Sequence, residues 1–149
     1  MPQINEYEPL QDFKNLLETY WEESQEFPMP TFQIVNDPNE AVSHVDFQDG
    51  DYILLAADPG EQIRYRGNVT YIDRIYSFVC IILTNANRQR LMNHYKMIRA
   101  ICLGKKHDFP NWQFIRLLSY REMVAESLNI WRGEMRGQLE NHAVLADTL

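Results

Sequence analysis

The sequence predicts an α+β fold: a mixed, mainly antiparallel β-sheet of about four to six strands, with two main α-helices packed on one face. Three observations carry this. RIYSFVCIIL (74–83) is a near-continuous apolar run rich in β-branched and aromatic residues, which reads as a central strand covered on at least one face. IWRGEMRGQLE (130–140) alternates with period two, as a strand with two unlike faces does. Two further segments, 8–25 and 88–103, space their apolar residues as one face of a helix requires.

In chain order, EPLQDFKNLLETYWEESQ (8–25) is an amphipathic helix whose shared face is Leu10, Phe13, Leu17, Tyr20 and Trp21. Pro9 suits its first turn, and FPMP (27–30) stops it because proline cannot continue a helix. TFQIV (31–35) reads as a short strand. NDPNEAVSHVDFQDGD (36–51) is turn chemistry and predicts an exposed acidic loop. DYILLAAD (51–58) is a strand ended by Pro59-Gly60. From Ile63 to Leu83, Gly67-Asn68 leaves open a hairpin or one long bent strand. Thr84 and Asn87 offer helix caps before a second helix, which runs to about Leu103 with Leu91, Tyr95, Ile98 and Cys102 as its buried stripe. Gly104, followed by Lys105 and Lys106, suits that helix's end. WQFIRLLSY (112–120) is another strand, and REMVAESLN (121–129) is a helical turn or a loop. In 130–140, Trp131, Met135 and Leu139 share one face with Gly133 and Gly137 between them; Arg132, Glu134, Arg136, Gln138 and Glu140 share the other. That polar face fits either an ordinary edge strand or one facing a lumen or a neighbouring subunit. Residues 141–149 are expected to form a loose tail.

The 149 residues are expected to form one domain, residues 1–149, large enough to bury a core. No apolar run reaches the ~20 residues that cross a bilayer, and MPQINEYEPL lacks the basic flank and apolar stretch of a secretory signal. Cys80 and Cys102 lie in apolar segments and read as buried free thiols. Net charge is −7, but it is unevenly spread. Residues 1–61 hold 14 acids against Lys14 alone; residues 62–149 hold 13 bases against 7 acids. Such asymmetry points to a charged partner, either a nucleic acid or another copy of the chain. The basic part is dominated by arginine, the residue suited to forked, partly desolvated interface contacts.

Catalytic signatures are missing from the sequence. His44, His94, His107 and His142 share no metal-ligand spacing, and no Cys-x-x-Cys, His-Glu-x-x-His, Gly-x-Ser-x-Gly or phosphate-cradling glycine loop occurs. Asp46, Asp49 and Asp51 are closely spaced, but the glycine and closing glutamate of a calcium loop do not fall in place. The reading is therefore no enzyme, no cofactor and no metal. Two features exceed routine core. Arg88 and Arg90 stand in the first turn of the second helix, where positive charge costs about 0.3–1 kcal/mol each at an exposed site. Either nearby carboxylates pair with them or they reach a partner. The other feature is the polar face of 130–140.

The segment IDRIYSFVCIILTNANRQRLMNHYKMIRAI (72–101) ends a central strand in a break containing Thr84, then opens an arginine-rich helix at Arg88 and Arg90 that continues through Ile98-Arg99. WRGEMRGQLE closes the chain with an aromatic near its start. In this order of elements, over about two-thirds of its length, the chain resembles the tail-terminator (tail-completion) proteins of tailed bacteriophages and related archaeal viruses. The resemblance implies a non-enzymatic virion protein of the tail or neck, assembled in the host cytoplasm. Such a protein forms a hexameric ring that caps the tail tube and offers a docking surface to the head-side connector, with DNA only as passing cargo and no membrane contact. On this reading Arg88, Arg90, Arg132, Arg136, Arg64 and Arg66 are candidates for subunit or partner interfaces. Acidic residues are expected to face the lumen, with Glu134, Glu140, Asp46, Asp49 and Asp51 as candidates, because a conduit should not grip phosphate.

Three other readings remain at this point. One is another ring of the head–tail neck, an adaptor or stopper. The second is a nucleic-acid-binding protein using residues 62–149 with Tyr65, Tyr71, Tyr76 and Trp112. The third is a small hydrolase or nuclease whose site assembles only on folding.

Overall fold

A computed structural model describes residues 8–43, 45–47, 50–104, 111–125 and 130–145, with the side chains of 68–69 and 124–125 left aside. The elements are α1 (Pro9–Tyr20), β1 (Thr31–Ile34), α2 (Pro38–Val42), β2 (Tyr52–Arg66), β3 (Asn68–Thr84), α3 (Arg88–Gly104), β4 (Phe114–Ala125) and β5 (Ile130–Leu145). The strands form one mixed, open sheet in the order β1-β2-β3-β5-β4. Only β1 and β2 pair in parallel; every other neighbour is antiparallel. The fold is α+β, as the periodicities require, and RIYSFVCIIL lies in the middle strand.

The two main helices cover one face. Phe13 and Leu17 of α1 and Leu91 and Ile98 of α3 are fully buried against Ile53, Leu55, Phe78, Cys80, Ile82, Met135 and Leu139. The period-two pattern of β5 explains its share: Met135 and Leu139 enter the core, while Gly133 and Gly137 leave room beneath aromatic rings. Tyr120 lies over Gly133 and stacks on Tyr95 of α3, ring centres 3.9 Å apart. Phe78 lies over Gly137 and meets Phe13 at 4.7 Å. The opposite face has its own smaller core. Tyr52, Leu54, Ala56, Val79, Ile81 and Leu83 are buried there under Ala41 and Val42 of α2 with Val45 and Phe47. Cover on both faces is why the ends of β2 and β3 that meet there are apolar at every position.

Several expectations need correction. The stretch 36–51 is not simply an exposed loop: Asp37 caps α2 by accepting from the amides of Asn39 and Glu40, and Pro38 opens the helix. Pro59-Gly60 does not end β2. The strand takes a bulge between Ala57 and Gly60 and resumes at Gly60↔Ser77, so the ladder goes on without an amide from Pro59. Its continuation makes β2–β3 a long hairpin turning at Gly67, whose φ of +54° is tolerated without a Cβ. The 121–129 segment is not helical over its described part, since β4 runs to Ala125; residues 126–129 lie outside the described residues. The tail is not loose over 141–145, because β5 continues and pairs Leu145 with Tyr71. Lys105 and Lys106 also fall outside the described residues.

Both cysteines are buried and unbridged. Burial pushes the Cys102 thiol up to about 12 and raises Cys80 further. The thiolate is the reactive form. Neither thiol should therefore react with an aromatic disulfide reagent at pH 8 in the folded protein, and both should react in denaturant. Fast labelling of the native chain would contradict this placement.

Candidate functional site

Two charged constellations and one projecting hairpin stand out. The first constellation is the corner where β1, β2, β3 and α3 meet. The Asp51 carboxylate accepts from His94 Nε2 at 2.7 Å and from Arg90 at 3.3 Å, and it is also bonded by Thr84. Its backbone carbonyl accepts the Thr31 amide at 2.8 Å, starting the parallel pair. Burial pushes this carboxyl up, but the hydrogen bonds from His94 and Thr84 and the Arg90 charge outweigh it and hold it below the usual range. The 2.7 Å contact fixes the His94 proton on Nε2; Nδ1 has no hydrogen-bond partner among the described residues and lies within a ring packed against Trp21. His94 is fully buried. Asp51 and His94 are thus closed off from solvent, with Arg90 at the surface above them, and the corner acts as a joint between elements. Sequence reasoning set His94 aside as a metal ligand but did not place it here. The available signal was its position three residues after Leu91 and four before Ile98, on the apolar stripe.

The second constellation runs across the sheet face opposite the two main helices. Arg121 of β4 and Arg132 of β5 both bond Glu134, at 3.0 and 2.7 Å, and Arg132 also donates to Asn39. Burial raises the Glu134 carboxyl, yet the two guanidiniums bring it below its ordinary value. Arg116 and His142 hold Glu140 at 2.6 and 3.0 Å, and Arg136 pairs with Asp58. Near the turn of the hairpin, Asp73 accepts from Arg66 and from the Ala143 amide, which lowers its carboxyl to about 2.

These contacts relocate most of the sequence-predicted site residues. Glu134 and Glu140 are 7% and 3% exposed, so they are internal ion-pair partners and not lumen-facing carboxylates. Asp51 is likewise buried, in the corner. Asp46 is exposed, and Asp49 lies outside the described residues. The edge-strand alternative for 130–140 does not hold, since β5 lies between β3 and β4 and β4 is the edge. Arg88 pairs with Glu122 at 2.7 Å and Arg90 with Asp51, which offsets their cost at the start of α3; Asn87 caps that helix through the Arg90 amide. Thr84 caps the preceding turn through the Ala86 amide. Eight of the ten arginines in 62–149 have a carboxylate within 4 Å: Arg66, Arg74, Arg88, Arg90, Arg116, Arg121, Arg132 and Arg136. Three of the partners, Asp51, Asp58 and Glu61, come from the acidic first part. Folding therefore interleaves the two oppositely charged parts.

Beyond Gly60 the β2 arm of the hairpin is exposed, while the β3 arm stays paired to β5 as far as Tyr71. Residues 61–67 are all exposed, including Ile63 and Tyr65, the latter 69% accessible, and Tyr71 on the facing strand is exposed too. Arg64 is exposed and has no carboxylate partner among the described residues. Among the described residues, no helix is long and apolar enough to cross a membrane. No protein-family model matches the chain, and a search of curated proteins returns no match.

Proposed function

We propose that the protein is a structural virion component, a tail terminator that forms a ring on the tail tube and joins it to the head-side connector. The observation that carries this reading is the bare β2–β3 hairpin. Three large apolar side chains and Arg64 are exposed near the turn of the hairpin, where β2 has only β3 beside it and a monomer gains nothing from them. A ring of identical subunits uses such a projection, because each subunit must offer one surface to a different surface of the next. The pairing of eight arginines weakens the nucleic-acid reading, since those cations already have carboxylates and are poorly placed to neutralise phosphates. It also suits a conduit through which DNA must slide.

Light scattering on the purified protein, alone and with a tail-tube protein, tests this. The expected species is six times the 17.7 kDa chain, or a cap at tube ends. A species of that mass that ignores tubes would move the proposal to another neck ring. A monomer indifferent to tubes at every concentration would refute it.

A further inference from the structure

We infer that the β2–β3 hairpin tip docks into a groove on a second copy of the chain, between the segment after α1 and the C-terminal half of α3. This rests on the ring reading and names the two surfaces that would build it. The groove is open, about 520 Å3, and is lined by Glu22, Glu23, Phe27, Lys96, Met97 and Ala100. Its floor is apolar and one rim is acidic.

The occupant follows from chemistry and geometry. Residues 18–26 carry four glutamates and no base, whereas residues 62–72 carry Arg64 and Arg66 and no acid. Glu18 is bonded to Lys14 and Arg66 to Asp73, which leaves Glu22, Glu23, Glu26 and Arg64 without an ion-pair partner among the described residues. Lys96 stands on the opposite wall, so the acidic rim has a direction and the arginine side of the ribbon must face it. Ile63 and Tyr65, on the face opposite Arg64, supply the apolar complement, and a tyrosine can bury its ring on Met97 and Ala100 while its hydroxyl reaches a carboxylate. The tip cannot reach the groove of its own chain. Trp21, just before the groove segment, packs on Phe32, which pairs with Ile53; from Ile53 to Tyr65 the strand spans on the order of 40 Å. The contact is therefore between copies and joins unlike surfaces, which generates a ring when the rotation closes.

Cysteine cross-linking tests this even for a weak contact, because each disulfide traps the encounter that formed it. Chains carrying Tyr65→Cys are mixed with chains carrying Ala100→Cys at high concentration, with and without tail-tube protein, and oxidised. The buried native thiols give no background. The expected product is a disulfide-linked heterodimer, and a ladder when both substitutions share one chain. Adding Arg64→Glu should lower the yield about tenfold, and adding Glu22→Arg with Glu23→Arg should restore it. All of these positions are exposed, and an unchanged circular dichroism spectrum checks the fold. Sedimentation of the same wild-type samples separates the two ideas. A ring-sized species without the 65–100 cross-link overturns the contact and leaves the ring. A cross-link restored by charge exchange, without any closed species, supports the contact and overturns the ring. Neither product overturns both.

Discussion

Asp51→Ala is expected to lower the free energy of unfolding by about 1–3 kcal/mol, the scale for leaving a buried donor without its acceptor. Asp51 is 7% exposed and His94 fully buried, so water cannot replace what is lost. The substitution would leave the His94 Nε2–H without an acceptor beside an Nδ1 that already has none among the described residues. It would also remove the carboxylate facing Arg90, whose side chain is one-third exposed and recovers part of its loss in water. Asp51→Asn retains shape and one acceptor oxygen and should cost less. The pH dependence has a definite sign. The folded carboxyl titrates below its ordinary 3.8. Its contribution is therefore complete above the unfolded value of about 3.9 and fades as pH falls through the lower folded value. Urea unfolding of wild type and Asp51→Asn should show a gap that is constant from pH 5 to 7 and narrows below about pH 4. A gap that widened in acid would mean that the carboxylate is not held ionised by its partners.

The elements that the sequence made legible are those where local pattern and burial agree. The run 74–83 is buried on both faces and could hardly be anything but a central strand. The alternation of 131, 135 and 139 against 132, 134 and 136 survives in the faces they occupy, because pleat fixes direction one residue at a time. What a pattern of alternation cannot give is the neighbour. Glu134 and Glu140 read as solvent-facing because polar residues on one sheet face usually are. They are instead buried by Arg121 and Arg116, which arrive from β4 across a pairing set by chain topology. Pro59 misled for a related reason. Proline ends a strand unless a bulge absorbs it, and that bulge is visible only once β3 lies alongside. The acidic and basic parts suggested two separate charged surfaces. The fold brought Asp51, Asp58 and Glu61 to Arg90, Arg136 and Arg74, so it is the arginines of the basic part that are largely paired within the chain.

Gly137→Ala should destabilise the protein by about 1–3 kcal/mol, although alanine is ordinarily better than glycine in a strand by about 0.5–1 kcal/mol. The sign is decided by space. A Cβ at 137 would lie 2.8 Å from Phe78 Cζ and 3.2 Å from the Arg116 carbonyl. Neither neighbour can yield cheaply. The carbonyl is backbone of β4, Phe78 is 1% exposed and held by Phe13, and β5 itself is paired on both sides at this position. Gly133→Ala meets the outer end of the Tyr120 ring at a similar distance, but Tyr120 is only partly buried and can swing, so its cost should be smaller. For a chain near 150 residues, each kcal/mol moves the melting temperature by roughly 2–4 °C, so thermal unfolding resolves the two. The cause can be isolated as well. Phe78→Leu costs stability alone by leaving a void, but in the Gly137→Ala background it also removes the clash, so the double variant should be more stable than the sum of the two losses predicts. Strict additivity would place the obstruction on the Arg116 carbonyl, and a gain from Gly137→Ala alone would mean that Phe78 does not lie on the bare strand.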